Sequence, residues 1–289
     1  MPPVTGPLVP RRRLAAELRR LRDEAHLTLE QVGTQLLIST SKLSRLENAQ
    51  GSPQARDVRD LIRLYGIEGT ELGDRLLRLV QAGRRQGWWN DYSEEVTRGL
   101  DAHLAYESDA TVARVYTIPV IPALLQTPEY TQAIYKSMEP WHSESALREL
   151  IEIRAHRKEA LLSSREFLPP LEYVAVTHES SLRQQVESPE IMRSQLDALI
   201  EASTKPNIQL YILPFSAQPM FTFTCMYSYF EYGKDIDQDV VHIETHAGFR
   251  HVEDAEDVRR YRGYYENLVA ASLTMDKSRS LIREIRDEL

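Results

Sequence analysis

Between residues 39 and 48 the chain reads Ser-Thr-Ser-Lys-Leu-Ser-Arg-Leu-Glu-Asn, with its apolar residues at helical spacing. Leu43 and Leu46 fall at i, i+3 and turn inward together, which leaves Thr40, Ser41, Lys42, Ser44 and Arg45 on other faces. A surface helix is normally rich in Glu and Lys. Here the helix starts with small hydroxyls and carries two cations. Those are the donors that suit phosphate oxygens and the edges of bases.

Such side chains act only if short helices present them. Thr28 and Gln31 form a Thr-x-x-Gln capping box, and Val32 and Leu36 follow at i, i+4 on one face. Ser39 is a good N-cap for the second helix. Residues 28–48 therefore predict two short helices joined by a tight turn, the arrangement that lays a helix in the major groove of DNA. An ordinary αα-hairpin is the alternative. Upstream, Leu14, Leu18 and Leu21 make a further helical stripe. Downstream, Ser52-Pro53 reads as a cap with proline at the first helical position, ahead of Val58, Leu61, Ile62 and Tyr65. Gly66 ends that helix, and Thr70 opens another with Leu72, Leu76, Leu79 and Val80 inward. Five helices make an all-α domain of ordinary size.

The net charge of −8 looks wrong for a nucleic-acid binder until it is divided. Residues 1–87 carry 15 Lys and Arg against 10 Asp and Glu, a net of +5. Residues 88–289 carry 20 against 33, a net of −13. Only the first part has the footprint of a nucleic-acid surface, and its modest charge favours a homodimer on two half-sites of a palindromic operator. Pro2, Pro3, Pro7 and Pro10 suggest a flexible arm over residues 1–10, ahead of a DNA-binding domain over 11–86 and a second domain over 87–289. Arg11, Arg12 and Arg13 suit either a minor groove or a solvated helix start. The single Cys225 excludes an internal disulfide and fits a reducing, cytoplasmic setting. No apolar run approaches a membrane span, and the N-terminus lacks the apolar core of a signal peptide.

Beyond Trp88-Trp89, helical patterns continue to about Ala113. A run broken by Pro119 and Pro122 follows, then a helix started by Thr127-Pro128-Glu129 and a long charged helix over 143–164. From residue 171 the period changes. LEYVAVT, NIQLYILPF, MFTFTCMYSYFEY and DVVHIETHAG read as strands, the last two as a hairpin or meander around Lys234–Gln238. Helices begin at Ser188-Pro189, near Asp254 and near Asp276. This half is expected to be a mixed α/β or α+β domain with helices packed on a sheet.

Alternation places His242, Glu244 and His246 on one strand face, with His251 and Cys225 nearby in sequence. His and Glu on one face are candidate zinc ligands, but the spacing matches no familiar zinc signature. A plain polar sheet face explains them as well, so no metal or other cofactor is expected. His178-Glu179-Ser180-Ser181 offers a base, an acid and hydroxyls. Without a Gly-x-Ser-x-Gly elbow it reads as a strand-to-helix junction with Ser capping. Phe221, Phe223, Tyr227, Tyr229 and Tyr232 make an aromatic-rich sheet, mostly core, that also suits the wall of a pocket for an apolar effector.

Residues 11–66 resemble the XRE family, the phage-repressor and Cro type of helix-turn-helix regulator. The resemblance rests on Leu18, Arg19, Leu21, Arg22, Thr28, Ser39, Ser41 and the run from Leu43 to Asn48. It implies that Thr40, Ser41 and Arg45 read bases, that Thr28, Lys42 and Asn48 lie near phosphates, and that Arg22 pairs with Glu47. The candidate DNA-contacting set is therefore Thr28, Ser39, Thr40, Ser41, Lys42, Ser44, Arg45 and Asn48. Leu37 stands where the family's turn usually has Gly, and Leu29 where many members carry a phosphate-contacting Gln.

Nearly the whole chain is similar to the WhiJ-type actinobacterial XRE regulators, which end in a domain of unknown function. Gly87-Trp88-Trp89, the run Ile121 to Tyr130, Leu213 to Ala217 and the segment Asp254 to Tyr261 carry that likeness. The resemblance implies no catalysis. It implies a transcription regulator whose second domain senses a small ligand or binds a small protein encoded nearby. The alternative it implies is an antitoxin-like protein that neutralises that partner and autoregulates its own operon.

Overall fold

The computed structural model describes residues 7–92, 100–138, 143–165, 168–217, 225–233, 239–245 and 248–289. The chain divides into two compact units, with the change at Trp88 and Trp89.

The first unit is helical: α1 (Leu8–Glu24), α2 (Leu29–Leu36), α3 (Thr40–Glu47), α4 (Ala55–Leu64) and α5 (Glu71–Gly83). Leu14, Leu18, Val32, Leu43, Leu61 and Leu76, one or more from each helix, meet in its core. The arm expected through residue 10 is helical from Leu8. Pro10 lies in the first turn of α1, where a missing N–H leaves no helical bond unmade. Ser52-Pro53 does not start α4, whose N-cap is Gln54. Pro53 is instead buried, and its Cγ lies against Gly83 of α5, so packing outweighs the local capping signal.

The helix pair is closed as its sequence directs. Thr28 Oγ1 accepts from Gln31 N–H at 3.2 Å, and Gln31 Oε1 accepts from Thr28 N–H at 2.8 Å. Gly33 is required by close approach. A Cβ there would sit 2.7 Å from the Ile38 carbonyl oxygen, which the turn brings back over α2.

The second unit has helices packed on a six-stranded mixed sheet. Its strands are β1 (Val112–Thr117), β2 (Glu172–His178), β3 (Ile208–Leu213), β4 (Tyr227–Glu231), β5 (Val240–Thr245) and β6 (Gly248–Val252). The spatial order is β3-β2-β1-β4-β5-β6. β3, β2 and β1 are parallel; β1 with β4, β4 with β5 and β5 with β6 are antiparallel. Parallel neighbours need crossovers, which the helices supply. β1 reaches β2 through α7 (Pro128–Met138) and α8 (Glu144–Leu162), and β2 reaches β3 through α9 (Ser180–Arg183) and α10 (Pro189–Ala202). α6 (Asp101–Asp109) precedes the sheet; α11 (Ala255–Ala271) and α12 (Met275–Glu288) follow it. Five consecutive residues of the central β2 are buried, as a strand covered on both faces requires.

Two expectations change. The helical pattern read to Ala113 stops at Asp109, because Thr111 N–H bonds to the Glu231 carbonyl (2.8 Å) and the chain enters the sheet. β6, with the sequence GFRHV, was not anticipated; it is a half-exposed edge strand without a clean alternation. At the other edge, Ile212 N–H of β3 donates to Ser278 Oγ at 2.9 Å, and Leu273 N–H donates to the Ile212 carbonyl at 2.9 Å.

Alternation divides the side chains of the sheet. Tyr116, Val174, Tyr227, Tyr229 and Val241 join Val258, Tyr265 and Leu268 of α11 in a core on one face. Val115 and Thr117 of β1, Ser228 of β4 and His242 of β5 fall on the opposite face, toward α6, α7 and α8. No helix among the described residues is long and apolar enough to cross a membrane.

Candidate functional site

α3 carries the residues that the sequence singles out. Ser39 caps it, accepting from Lys42 N–H at 3.3 Å. Thr28, Thr40, Ser41 and Arg45 are exposed, and Arg45 makes no ion pair among the described residues. Lys42 is engaged, with Nζ 2.6 Å from Asp57 Oδ2 of α4. Asn48 Nδ2 donates to the Ser44 carbonyl at 2.7 Å and to Ser44 Oγ at 3.3 Å, closing the end of the helix.

α3 is held by a fork. Arg22 Nε donates to Glu47 Oε1 and Nη2 to Oε2, both at 2.9 Å, while Nη1 reaches the Leu27 carbonyl at 3.0 Å. Bidentate geometry fixes direction as well as distance, so α1 sets the orientation of α3. The hydrogen bonds that Arg22 donates to Glu47 raise its pKa above the ordinary value. Burial, and then the charge of Glu47, push the neighbouring Tyr65 up to about 12.

Two positions that depart from the resembled helix-turn-helix pattern have structural outcomes. Leu37 has φ 56° and ψ 38°, the left-handed conformation, and its side chain is 93% exposed. A branched residue there costs roughly 1–2 kcal/mol with no packing to offset it. Leu29 packs against the helical core and presents no polar group. The arginines at residues 11–13 form part of α1, and Arg11 Nε is spent on the Gly83 carbonyl at 2.6 Å.

In the sheet domain the candidate metal set is not assembled among the described residues. His242 is buried, its Nδ1 lies 3.0 Å from His251 Nε2, and its ring is stacked on Phe249. Glu244 is exposed, and His246 lies outside the described residues. No group of three His, Cys, Asp or Glu suited to a metal occurs among the described residues. Burial first, then the charges of His103, His251 and Arg157, drive the His242 pKa well below the usual imidazole range. Phe221 and Phe223 also lie outside the described residues. Tyr227 packs edge-on to Tyr261 and Tyr265 of α11. At the 178–181 junction it is His178 that caps, its Nδ1 accepting from Ser180 N–H at 3.2 Å.

Sequence reasoning missed a buried ionic cluster. Arg157 Nε donates to Glu107 Oε1 at 2.6 Å and Nη2 to Oε2 at 2.7 Å, with Nη2 also 2.9 Å from His103 Nε2. Burial opposes ionisation of Glu107, yet the charge and hydrogen bonds of Arg157 hold it well below the usual carboxylate range. Arg157, against the same penalty, is raised by Glu107. His103 Nδ1 is buried without a partner among the described residues. The available signal was charged residues at i, i+4 on α6 and i, i+3 on α8, at positions where amphipathic helices turn inward.

Beside this cluster is a cavity of about 380 Å³. Val115, Ile121, Ile134, Leu150 and Phe249 give it apolar walls; His103, Ser228, His242, Arg154 and Arg157 give it polar ones. The run 121–130 builds one side. It folds as a short 3-10 turn over Ala123–Leu125, with Ile121 N–H donating to Tyr130 OH at 3.3 Å and Thr127 N–H to Gln195 Oε1 at 2.7 Å. Gln126 is buried in that turn. Its Nε2 donates to the Ile121 carbonyl at 2.7 Å, and its Oε1 accepts from Thr131 Oγ1 and from Arg154 Nη1. Arg154 Nη2 donates to Tyr135 OH at 2.9 Å, and the guanidinium lies over the Tyr135 ring.

A family model for a helix-turn-helix domain matches residues 13–74. A second, described as domain of unknown function (DUF5753), matches residues 100–284. No curated protein and no solved structure matches the chain.

Proposed function

Because the chain belongs to the DUF5753 family and carries a helix-turn-helix domain ahead of that region, we propose that it is a sequence-specific transcription regulator of the XRE, phage-repressor and Cro type. The observation that carries this reading is the exposed polar face of α3, braced from behind by Arg22 and Glu47. Thr40, Ser41 and Arg45 read bases in the major groove, and Arg45 has the fork that recognises guanine. Thr28, Ser39, Ser44 and Asn48 lie along the phosphates. Lys42 contributes less than its charge suggests, since Asp57 already neutralises it. A domain with a net of +5 binds one half-site weakly, so a homodimer on a palindromic operator is the working form.

The test is a gel shift at fixed salt on a site selected from random duplexes by the full chain. Arg45→Ala is expected to lose about 10- to 100-fold in affinity for the selected site, with an unchanged fold. Equal affinity of the variant and the parent would falsify the assignment of α3.

In this reading the sheet domain of a cytoplasmic WhiJ-type regulator senses a small molecule, and occupancy of its cavity shifts the population competent to bind DNA. The net of −13 beyond residue 87 supports a second reading, capture of a small basic protein encoded nearby in the antitoxin-like manner. Co-purification with the neighbouring gene's product at physiological salt decides for the second reading, and its absence for the first.

A further inference from the structure

One cation on the wall of the sheet domain's cavity has no carboxylate partner among the described residues. Arg157 is saturated, its guanidinium engaged by both oxygens of Glu107 and by His103. Arg154, one turn earlier on α8, also lines the cavity but has only neutral partners, the amide oxygen of Gln126 and the hydroxyl of Tyr135. No carboxylate pairs with it among the described residues. A guanidinium has five N–H donors. Two of these are used by Gln126 and Tyr135, and Nε is buried without a partner. One hydrogen on each of Nη1 and Nη2 is left over.

This cation is also held in place. Gln126 cannot turn away, because the Ile121 carbonyl and Thr131 fix its amide. Tyr135 supports the guanidinium by both hydroxyl and ring. A charge fixed in position and without a carboxylate partner among the described residues, on a wall shared with apolar Val115, Ile121, Ile134, Leu150 and Phe249 and with the more distant carboxylate of Glu244, is half of an ion pair.

We propose that this cavity binds a small organic carboxylate with an apolar body, its carboxylate held by Arg154. The assignment rests on the sensor reading only for its consequence; the site itself follows from Arg154 and the walls. Arg154, with no carboxylate partner among the described residues, matches one negative charge, and Glu244 on the same lining disfavours a second. A phosphate monoester carries nearly two at neutral pH, and the second would go unmatched, since Glu107 already neutralises Arg157. The volume, about 380 Å³, suits a body of two rings or a medium alkyl chain.

The experiment is titration calorimetry of the full chain with biphenyl-4-carboxylate and decanoate, each against its isosteric neutral carboxamide, and with biphenyl-4-yl phosphate. At least one carboxylate is expected to bind 10-fold or more tightly than its amide. Arg154→Gln is expected to bring acid and amide within about twofold. Equal affinity of acid and amide for the parent chain, or no binding of either carboxylate, overturns the proposal. So does a phosphate that binds more tightly than both. The parent comparison stands even if Arg154→Gln fails to fold. A parallel gel shift separates the two readings. A carboxylate that binds without altering operator affinity removes the sensor role and keeps the site. Absence of specific DNA binding by the unliganded parent chain removes the regulator and keeps the site as well.

Discussion

The two regions handle charged and polar side chains in opposite ways. On α3 the groups proposed to read bases point outward: Arg45 is exposed and Thr40 and Ser41 are surface hydroxyls, whereas Ser39, Lys42, Ser44 and Asn48 also hold the helix. Their position depends on Arg22 and Glu47 behind them. In the sheet domain the polar groups point inward, and Glu107 and Arg157 are both structural support and cavity wall. The lesson concerns separability. At Thr40, Ser41 and Arg45, the proposed recognition is separable from stability. Around the cavity, the two are tied together.

The largest test of that contrast is removal of an inward charge. Glu107→Ala leaves Arg157 buried without a counterion and is expected to cost about 3–5 kcal/mol in urea unfolding. A loss under about 1 kcal/mol would mean that water reaches the pair.

On the outward side, Asp57→Asn frees Lys42 and removes a negative charge beside α3. Binding to duplexes of any sequence is expected to tighten about 2- to 10-fold at low salt, with a steeper salt dependence. Fluorescence anisotropy measures this. Unchanged or weaker binding would show that Lys42 faces away from the duplex.

Acid gives a third comparison. His242 and His251 have depressed pKa values, chiefly from burial and then from neighbouring charge: His103 and Arg157 on His242, His103 on His251. Glu107, Glu253 and Asp101 act in the other direction. Below about pH 6.5 the unfolded chain takes up protons that these folded imidazoles refuse, so stability is complete above that pH and falls below it. The expected slope is about 1 kcal/mol per pH unit for each excluded proton between pH 6.5 and 5.5. It should be shallower in His242→Phe. Equal slopes in variant and parent would place the acid sensitivity elsewhere.

The smallest effect is a gain. Leu37→Gly relieves the left-handed strain at the turn and is expected to stabilise by about 0.5–1 kcal/mol, the gain reduced by the wider freedom of glycine in the unfolded chain. A destabilised variant would mean that the exposed leucine side chain has a packing role.

The same contrast explains what the sequence made legible. A helix face is a local property. Capping at Thr28, the stripe Leu43 and Leu46, and the change of period at residue 171 can each be read within about four turns of chain. The strands from residue 171 on were visible for the same reason, except β6, whose five residues alternate poorly; β1 reads only as an extended or buried apolar run after a helical pattern that continues too far. The cavity draws on His103, Gln126, Arg154, Ser228 and His242, which only the topology brings together. The run from Ile121 to Tyr130 was legible as a motif but not as a device. Nothing in its spacing says that Gln126 braces Arg154. At Ser52-Pro53 a correct local rule lost to the packing of Pro53 on α5.

One contact at the far edge of the sheet bears on how the chain tolerates alteration. β3 is a terminal strand, and an open terminal strand invites a second chain to add itself to the ladder. Here the polypeptide closes that route with its own tail, Ser278 and Leu273 taking the N–H and C=O of Ile212 that a visiting strand would need. The segment from Leu273 to Ser278 thus occupies the edge that another strand would use. Shortening the chain before Leu273 would leave most of the sheet's core in place and open an adhesive edge.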